Sequence, residues 1–390
     1  MMTDVKSLNV NILPCPTWNK LSVNKATVDI SSFSAEKEKP EFTLSNLGPV
    51  RRTKINAKEA EKFADSLSDG VRREAYIAGK RAIYQEQHFQ TGLGREFTDF
   101  LLENVNEAEI YTVPEGADVY APVILKWEFG KVGHSASMQV IHALKDSNST
   151  FLIFTKSEKD ASGELMMETK VILEEGATVN LIKVNLLGED ITVLNDTGAV
   201  LRDNANFNFT QMVLGGNKNY VGCYADQCGN NTSFSVNAGY LVNKDHLLDI
   251  NYHGAMRGKD SVAKIYVKGS LSDSARKVFR GTIDFRKGSK GSKGDEQEDV
   301  LLLTPGVINK TVPVILTEEE DVDGRHGATI GNLLPDTLYY LGTRGIDKKA
   351  AEMLITRGRL LSIANTIPDD ETVSFINLFI REAFEVNECF

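Results

Sequence analysis

At 390 residues, with 41% hydrophobic and 25% charged, the chain is long for one ordinary core and globular in composition. Two to three domains are expected, and disorder over most of the length is excluded. The formal charge of −10 argues against nucleic acid as a partner, because such binders normally carry a basic face. Basic residues do cluster at Lys287, Lys290 and Lys293, but Asp295, Glu296, Glu298 and Asp299 follow at once, and the stretch reads as a solvated loop. No apolar run approaches the roughly 18 residues of a membrane span. The first residues, MMTDVKSLNVNILP, hold no signal-peptide core. Cys15, Cys223, Cys228 and Cys389 are too few and too scattered for a disulfide framework. A cytoplasmic protein that touches no membrane is expected.

In chain order, residues 1 to 55 show weak periodicity, punctuated by Pro14, Pro16 and Pro40, and read as an irregular arm anchored by Thr17 and Trp18. From Asn56, a plausible helix cap, Ala60, Phe63, Ala64, Leu67 and Val71 recur at helical spacing. The segment REAYIAGKRAIYQEQHF extends or follows this helix, with Gly70 and Gly79 as candidate breaks. Around Glu109 the period drops to two. A phrase recurs, Val113-Pro-Glu-Gly-Ala-Asp-Val and then Leu173-Glu-Glu-Gly-Ala-Thr-Val, with turns of like composition at Asp203, Gly229 and Ser272. Roughly 220 residues of strand without crossover helices leave a sandwich, a propeller or a solenoid. Recurrence of the turn phrase favours the solenoid. After Gly331 helices return: Asp347 caps one carrying Ala351, Leu354 and Ile355, and Pro368 stops it. Asp369 or Asp370 caps a last helix whose Val373, Ile376, Ile380 and Phe384 form an apolar stripe, a packing face within the chain or a docking face for a partner.

Chemistry-bearing motifs are few. No phosphate-cradling loop is present, since GSKGSK fails the spacing. Cys223 and Cys228 stand five apart, so an uninterrupted strand puts them on opposite faces; both read as structural. His246 and His253 share that parity problem, and His134 and His142 share a face without a third ligand. His326 lies between Gly324 and Gly327, where it is either a turn histidine bonded to a backbone carbonyl or a ligand and proton carrier.

The segment from Ala263 to Ile346 bears on this choice. It carries in order Lys268-Gly-x-Leu-x-Asp273, Phe279-Arg-Gly-x-Ile-x-Phe285, Leu301-Leu-Leu, Pro313 with a following acidic run, and Asp321-Val322. His326-Gly-Ala-Thr-x-Gly331 and Leu338-Tyr-Tyr-Leu-x-x-Arg-Gly-Ile346 complete the series. This ordered series resembles the SufB/SufD family of iron–sulfur cluster assembly scaffolds, closely from about Asn251 to Asp370 and more weakly from about residue 165. The resemblance implies a mainly β fold, a right-handed parallel β-helix with α-helical regions at both ends. Divided accordingly, 1–105 is an N-terminal arm and helical region, 106–331 the β-helix core, and 332–390 a C-terminal helical region that docks an ATPase.

The resemblance further implies a scaffold rather than an enzyme, with a transient iron–sulfur cluster as its cargo. Its partners are a SufC-type ABC ATPase, a SufB-like paralogue or a second copy of the chain, and a sulfur donor protein. SufB-like members carry a cysteine shortly after the Leu-Leu run, and Leu301 to Lys310 has none. SufD-like members keep the histidine that matches His326, and some have a cysteine two residues before it, where this chain has Gly324. His326 is therefore the candidate cofactor and metal ligand of a SufD-like subunit. One imidazole replaces one thiolate of a cluster, so other ligands come from elsewhere. The alternatives are a purely structural interaction subunit and a polysaccharide-acting β-helix enzyme, which needs paired carboxylates or basic residues on one solenoid face.

Overall fold

A computed structural model describes residues 7–31, 33, 40–68, 71–77, 80–86 and 88–384, which leaves Gly70, Gly79 and Cys389 outside. Sixteen strands follow one another from Glu107 to Asn332 with no helix between them. The cause is plain in a stretch such as Val262–Leu271. Ala263, Ile265 and Val267 are buried, while Lys264, Tyr266 and Lys268 alternate onto the other face. Successive strands go by turns to two sheets, and each sheet holds eight of them in parallel register. Phe207, Phe234 and Ala263 thus stack one above the next, one coil apart. This is a parallel β-helix of eight coils, as the resemblance implies, with an apolar lumen between the sheets.

The recurring turn phrase marks the coil. Gly116, Asp146, Gly176, Asn204, Asn231, Asp260 and Gly291 all have positive φ, at intervals of 27 to 31 residues. Each bends the chain from one sheet to the other in the left-handed conformation, which Gly, Asn and Asp adopt most readily. Adjacent turns are tied to one another, as where Asn231 Nδ2 donates to Asn204 Oδ1 at 2.9 Å.

The N-terminal region departs from the reading as an irregular arm. Ser7–Val10 pairs with Ala26–Asp29, and Glu41–Ser45 and Arg51–Asn56 each add an antiparallel ninth strand to one solenoid sheet. Trp18 is no anchor, being 81% exposed. Helix α1 (Ala57–Ser66) begins as expected, with the Asn56 side chain accepting from Lys58 N. The next segment forms an antiparallel strand pair, Val71–Ile77 with Lys80–Glu86, in place of more helix. Its Val, Tyr and Ile residues suit a strand better than a helix. Helix α2 (Arg95–Asn104) follows.

Both sheets are roofed. Helices α1 and α2 cover the outer face of one, packing Ala60, Ala64, Phe97 and Leu101 on Met138, Val140, Met166 and Leu194. On the other lie α4 (Lys348–Ala364) and α5 (Asp370–Ala383), capped by Asp347 and Asp369. Ile376, Ile380 and Phe384 pack there with Leu360 against Leu152, Ile182 and Met212. The apolar stripe of α5 is therefore turned inward. Helix α3 (Pro335–Thr343), between the solenoid and α4, buries no side chain.

Candidate functional site

His326 does not sit in a turn. It lies inside the strand Asp323–Asn332, flanked by glycines whose φ is not positive. Steric room explains Gly324, where a Cβ would stand 2.9 Å from Phe285 Cε2. Register fixes the direction of the imidazole. Glu296, Glu298 and Val300 are buried in the lumen, and His326, Ala328 and Ile330 are their partners one coil on. His326 thus points to the lumen side. It is exposed all the same, because no further coil among the described residues covers it. This strand is the edge of one sheet and Ile308–Thr317 the edge of the other, each ten residues long.

Directly under that opening lies an ionisable cluster. Lys277 Nζ, fully buried, donates to Glu298 and at 3.3 Å to Thr311 Oγ1, and Thr311 Oγ1 donates to Glu298 Oε2 at 2.5 Å. Burial pushes the Glu296 carboxyl up to about 8; the charge of Glu298 adds to this and Lys277 opposes it. Burial likewise lowers Lys277, against the pull of Glu298. The reading of Lys287 to Asp299 as one solvated loop is corrected here. Lys293–Leu302 is a strand whose Glu296 and Glu298 face inward, 2% exposed each, while Lys293 and Gln297 face water. Sequence reasoning missed these two glutamates by counting charge and ignoring parity. The signal was there, since Gly294, Glu296, Glu298 and Val300 hold the buried phase of a period-two run.

The same oversight hid polar groups deeper in the lumen. In NLIKVNLL, Lys183 and Asn185 occupy the phase of Leu181 and Leu187. Lys183 Nζ donates to Asn195 Oδ1 and to Asp196 O, both at 2.8 Å, and burial lowers its ammonium to about 7. Tyr252 OH donates to Gln211 Oε1 at 2.8 Å. Cys223 lies in this lumen too, where burial drives its thiol well above the usual range. Cys228 packs on the opposite, outer side, its Sγ donating to Leu201 O at 3.0 Å. Parity thus separates the two thiols, and neither reaches His326.

Four of the remaining five histidines meet a carboxylate, His88 Nδ1 standing 3.3 Å from Asp65 Oδ2. His134 pairs with Glu164, His142 Nε2 stands 3.0 Å from Glu174 Oε1, and His253 Nε2 stands 3.2 Å from Asp284 Oδ2. Burial lowers the pKa of His246, which the Lys244 charge reinforces. Among the described residues no three His, Cys, Asp or Glu side chains converge to hold a metal ion. Nor is any helix among them long and apolar enough to cross a membrane.

Comparison with known proteins bears on this geometry. Residues 130–359 match the core domain of SufB and SufD from the SUF system of FeS cluster assembly. The iron–sulfur cluster assembly protein SufD of Bacillus subtilis is 26% identical over 274 residues, 68% of this chain and 61% of that protein. A SufBD family protein of Pyrococcus horikoshii is 26% identical over 200 residues, 51% of this chain and 44% of that one. One from Methanothermobacter thermautotrophicus is 23% identical over 259 residues, 64% and 63% respectively. The chain thus spans less than two thirds of these relatives' lengths. With more than half of its 390 residues inside the matched core domain, and with likeness to SufD, the chain belongs to the SufB/SufD family of iron–sulfur cluster assembly proteins as a SufD-like member.

Proposed function

We propose that the chain is a scaffold subunit of a cytoplasmic iron–sulfur cluster assembly complex, with His326 as a ligand to iron or to the nascent cluster. One observation carries this reading. His326 stands exposed on the lumen face of an edge strand, at the open end of a solenoid whose two terminal strands have no outer neighbour among the described residues. Such edges pair readily with another chain. A SufB-like subunit or a second copy laid on them would place its own side chains beside the imidazole. Thiolate and sulfide ligands would come from that partner, from sulfide or from a sulfur donor protein, since Cys223 is sealed in the lumen and Cys228 packs on the outer side. In this scheme residues 106–331 are the scaffold, 1–105 its N-terminal cover and 332–390 the part that meets a SufC-type ABC ATPase. Helix α3 supports the last assignment better than α5. Leu334, Tyr339 and Tyr340 are all more than half exposed, Tyr339 at 77%, whereas the α5 stripe is already used.

His326→Ala is the test. It should lower cluster yield in the assembled complex, read from anaerobic absorbance and iron content, while folding and partner binding stay unchanged. His326→Cys should recover part of the yield. Equal yield in the alanine variant and the natural chain would reduce the protein to a structural subunit. For the ATPase, deleting residues 333–390 is a poor probe, because it uncovers the apolar sheet face under α4 and α5. Tyr339→Glu leaves that face covered and should weaken ATPase capture by itself.

A further inference from the structure

One interior position can be followed through six coils: Leu181, Phe209, Val236, Ile265, Glu296, His326. Four apolar rungs are succeeded by a carboxyl and then an imidazole. The adjacent position runs Ala238, Val267, Glu298, Ala328. Glu298 is accounted for by Lys277 and Thr311, which both donate to it. Glu296 is not. It is 2% exposed, and its Oε1 accepts no hydrogen bond. The opposite wall is shaped to take it. A Cβ on Gly281 would lie 2.8 Å from Glu296 Cδ and 2.9 Å from Oε1, so only glycine leaves room for the carboxyl there. The next residue in the Gly281 column is Pro313 on the edge strand, which offers no donor.

A buried carboxyl with an unmatched oxygen is costly where the same column elsewhere carries leucine or isoleucine. Ion pairing does not explain it, because the one buried lysine beside it is bound to Glu298. What lies over it, one rung higher and open to solvent, is His326. We propose that Glu296 and His326 are two ligands of a single divalent-cation site at the mouth of the lumen, the carboxylate below and the imidazole above. Nitrogen and oxygen donors together suit first-row cations such as Fe(II). With two protein ligands most of the coordination shell stays open, consistent with no trio of ligands converging in this chain alone. The proposal deepens the reading of His326 as an iron ligand and rests on it.

The test uses the full chain purified alone under anaerobic conditions, with Co(II) as the probe and Fe(II) as competitor. Glu296→Gln keeps volume and removes charge, and Glu296→Leu restores the residue type of the column, so both variants should fold with an unchanged or raised Tm. Each of Glu296→Gln, Glu296→Leu and His326→Ala should weaken Co(II) binding at least tenfold. The Glu296→Gln, His326→Ala double variant should fall well short of the product of the single effects. Natural affinity in both Glu296 variants, with loss in His326→Ala, overturns the paired site and leaves His326 as a ligand. Unchanged binding in all variants, or no binding by the natural chain, also overturns it. Cluster yield in the assembled complex judges His326 separately.

Discussion

The two ends of the solenoid are finished in opposite ways. At the first, the sheets end in Glu41–Ser45 and Arg51–Asn56, strands of five and six residues that run antiparallel to the coils. Arg51, Arg52 and Lys54 line the second of these, and short, charged edges discourage further pairing. Helices α1 and α2 then lock that end through buried charge. Lys170 Nζ donates to Glu61 of α1 and stands 3.3 Å from Glu168 Oε1, and Arg95 Nη1 of α2 donates to Glu61 Oε1 at 3.0 Å. At the last coil both edges are ten residues long, with Ile308 and Ile330 nearly half exposed. Buried ionisable groups at that end include the unmatched Glu296. One end spends its polar groups on closure, and the other leaves them facing an opening. Under the proposed pairing, that asymmetry puts stability at the first end and association at the second.

Substitutions should follow this division. The largest loss of stability is expected for Lys170→Met, which takes from the buried Glu61 and Glu168 carboxylates the cation they share beneath α1. We expect about 3–5 kcal/mol in denaturant unfolding. A loss under 1 kcal/mol would mean that the closed end is not held by this charge network.

Asp196, beside the same helices, should give the closed end a pH dependence. It accepts from Leu93 N and Thr197 N, both at 2.8 Å, and burial, with Glu168 adding its charge, raises its pKa from 3.8 to about 7. Between those values the folded state keeps a proton that the unfolded chain releases. This contribution is therefore full below about pH 4, falls as pH rises to about 7 and is level beyond. Its size is on the order of 4 kcal/mol at most. Asp196→Asn should flatten the Tm profile over this window relative to the natural chain, and parallel profiles would contradict the assignment.

The cysteines should separate by face. Cys223→Ser puts a hydroxyl into the lumen and should cost about 1–3 kcal/mol. Cys228→Ser keeps a donor for Leu201 O and should cost under about 1 kcal/mol. Neither should alter cluster yield in the fraction that folds. At the open end the stability effect should be smallest: Ile330→Glu is expected within about 0.5 kcal/mol of the natural chain. Yet it should weaken subunit pairing at least tenfold, or about 1.4 kcal/mol, by sedimentation. Unchanged pairing would move the interface away from these edges.

Alternation and turn composition, read along the chain, were enough to place the β-rich middle, its recurring turns and the helices after Gly331, but not the N-terminal strands or α2. Each depends on neighbours in sequence: period two for a strand, a left-handed Asn, Asp or Gly for each bend, and Asn56, Asp347 and Asp369 as caps. The separation of Cys223 from Cys228 was legible for the same reason. His326 could be picked out by the motif around it, but not its setting. Whether it faced a turn or a lumen depended on register with Glu296, thirty residues earlier, and such pairing leaves no local mark. The fate of the α5 stripe was likewise open until the strand faces carrying Leu152, Ile182 and Met212 came together to cover it. The burial of Glu296, Glu298 and Lys183 was decided only when two sheets closed on each other, because a charged residue in a strand looks solvated until something is packed across from it.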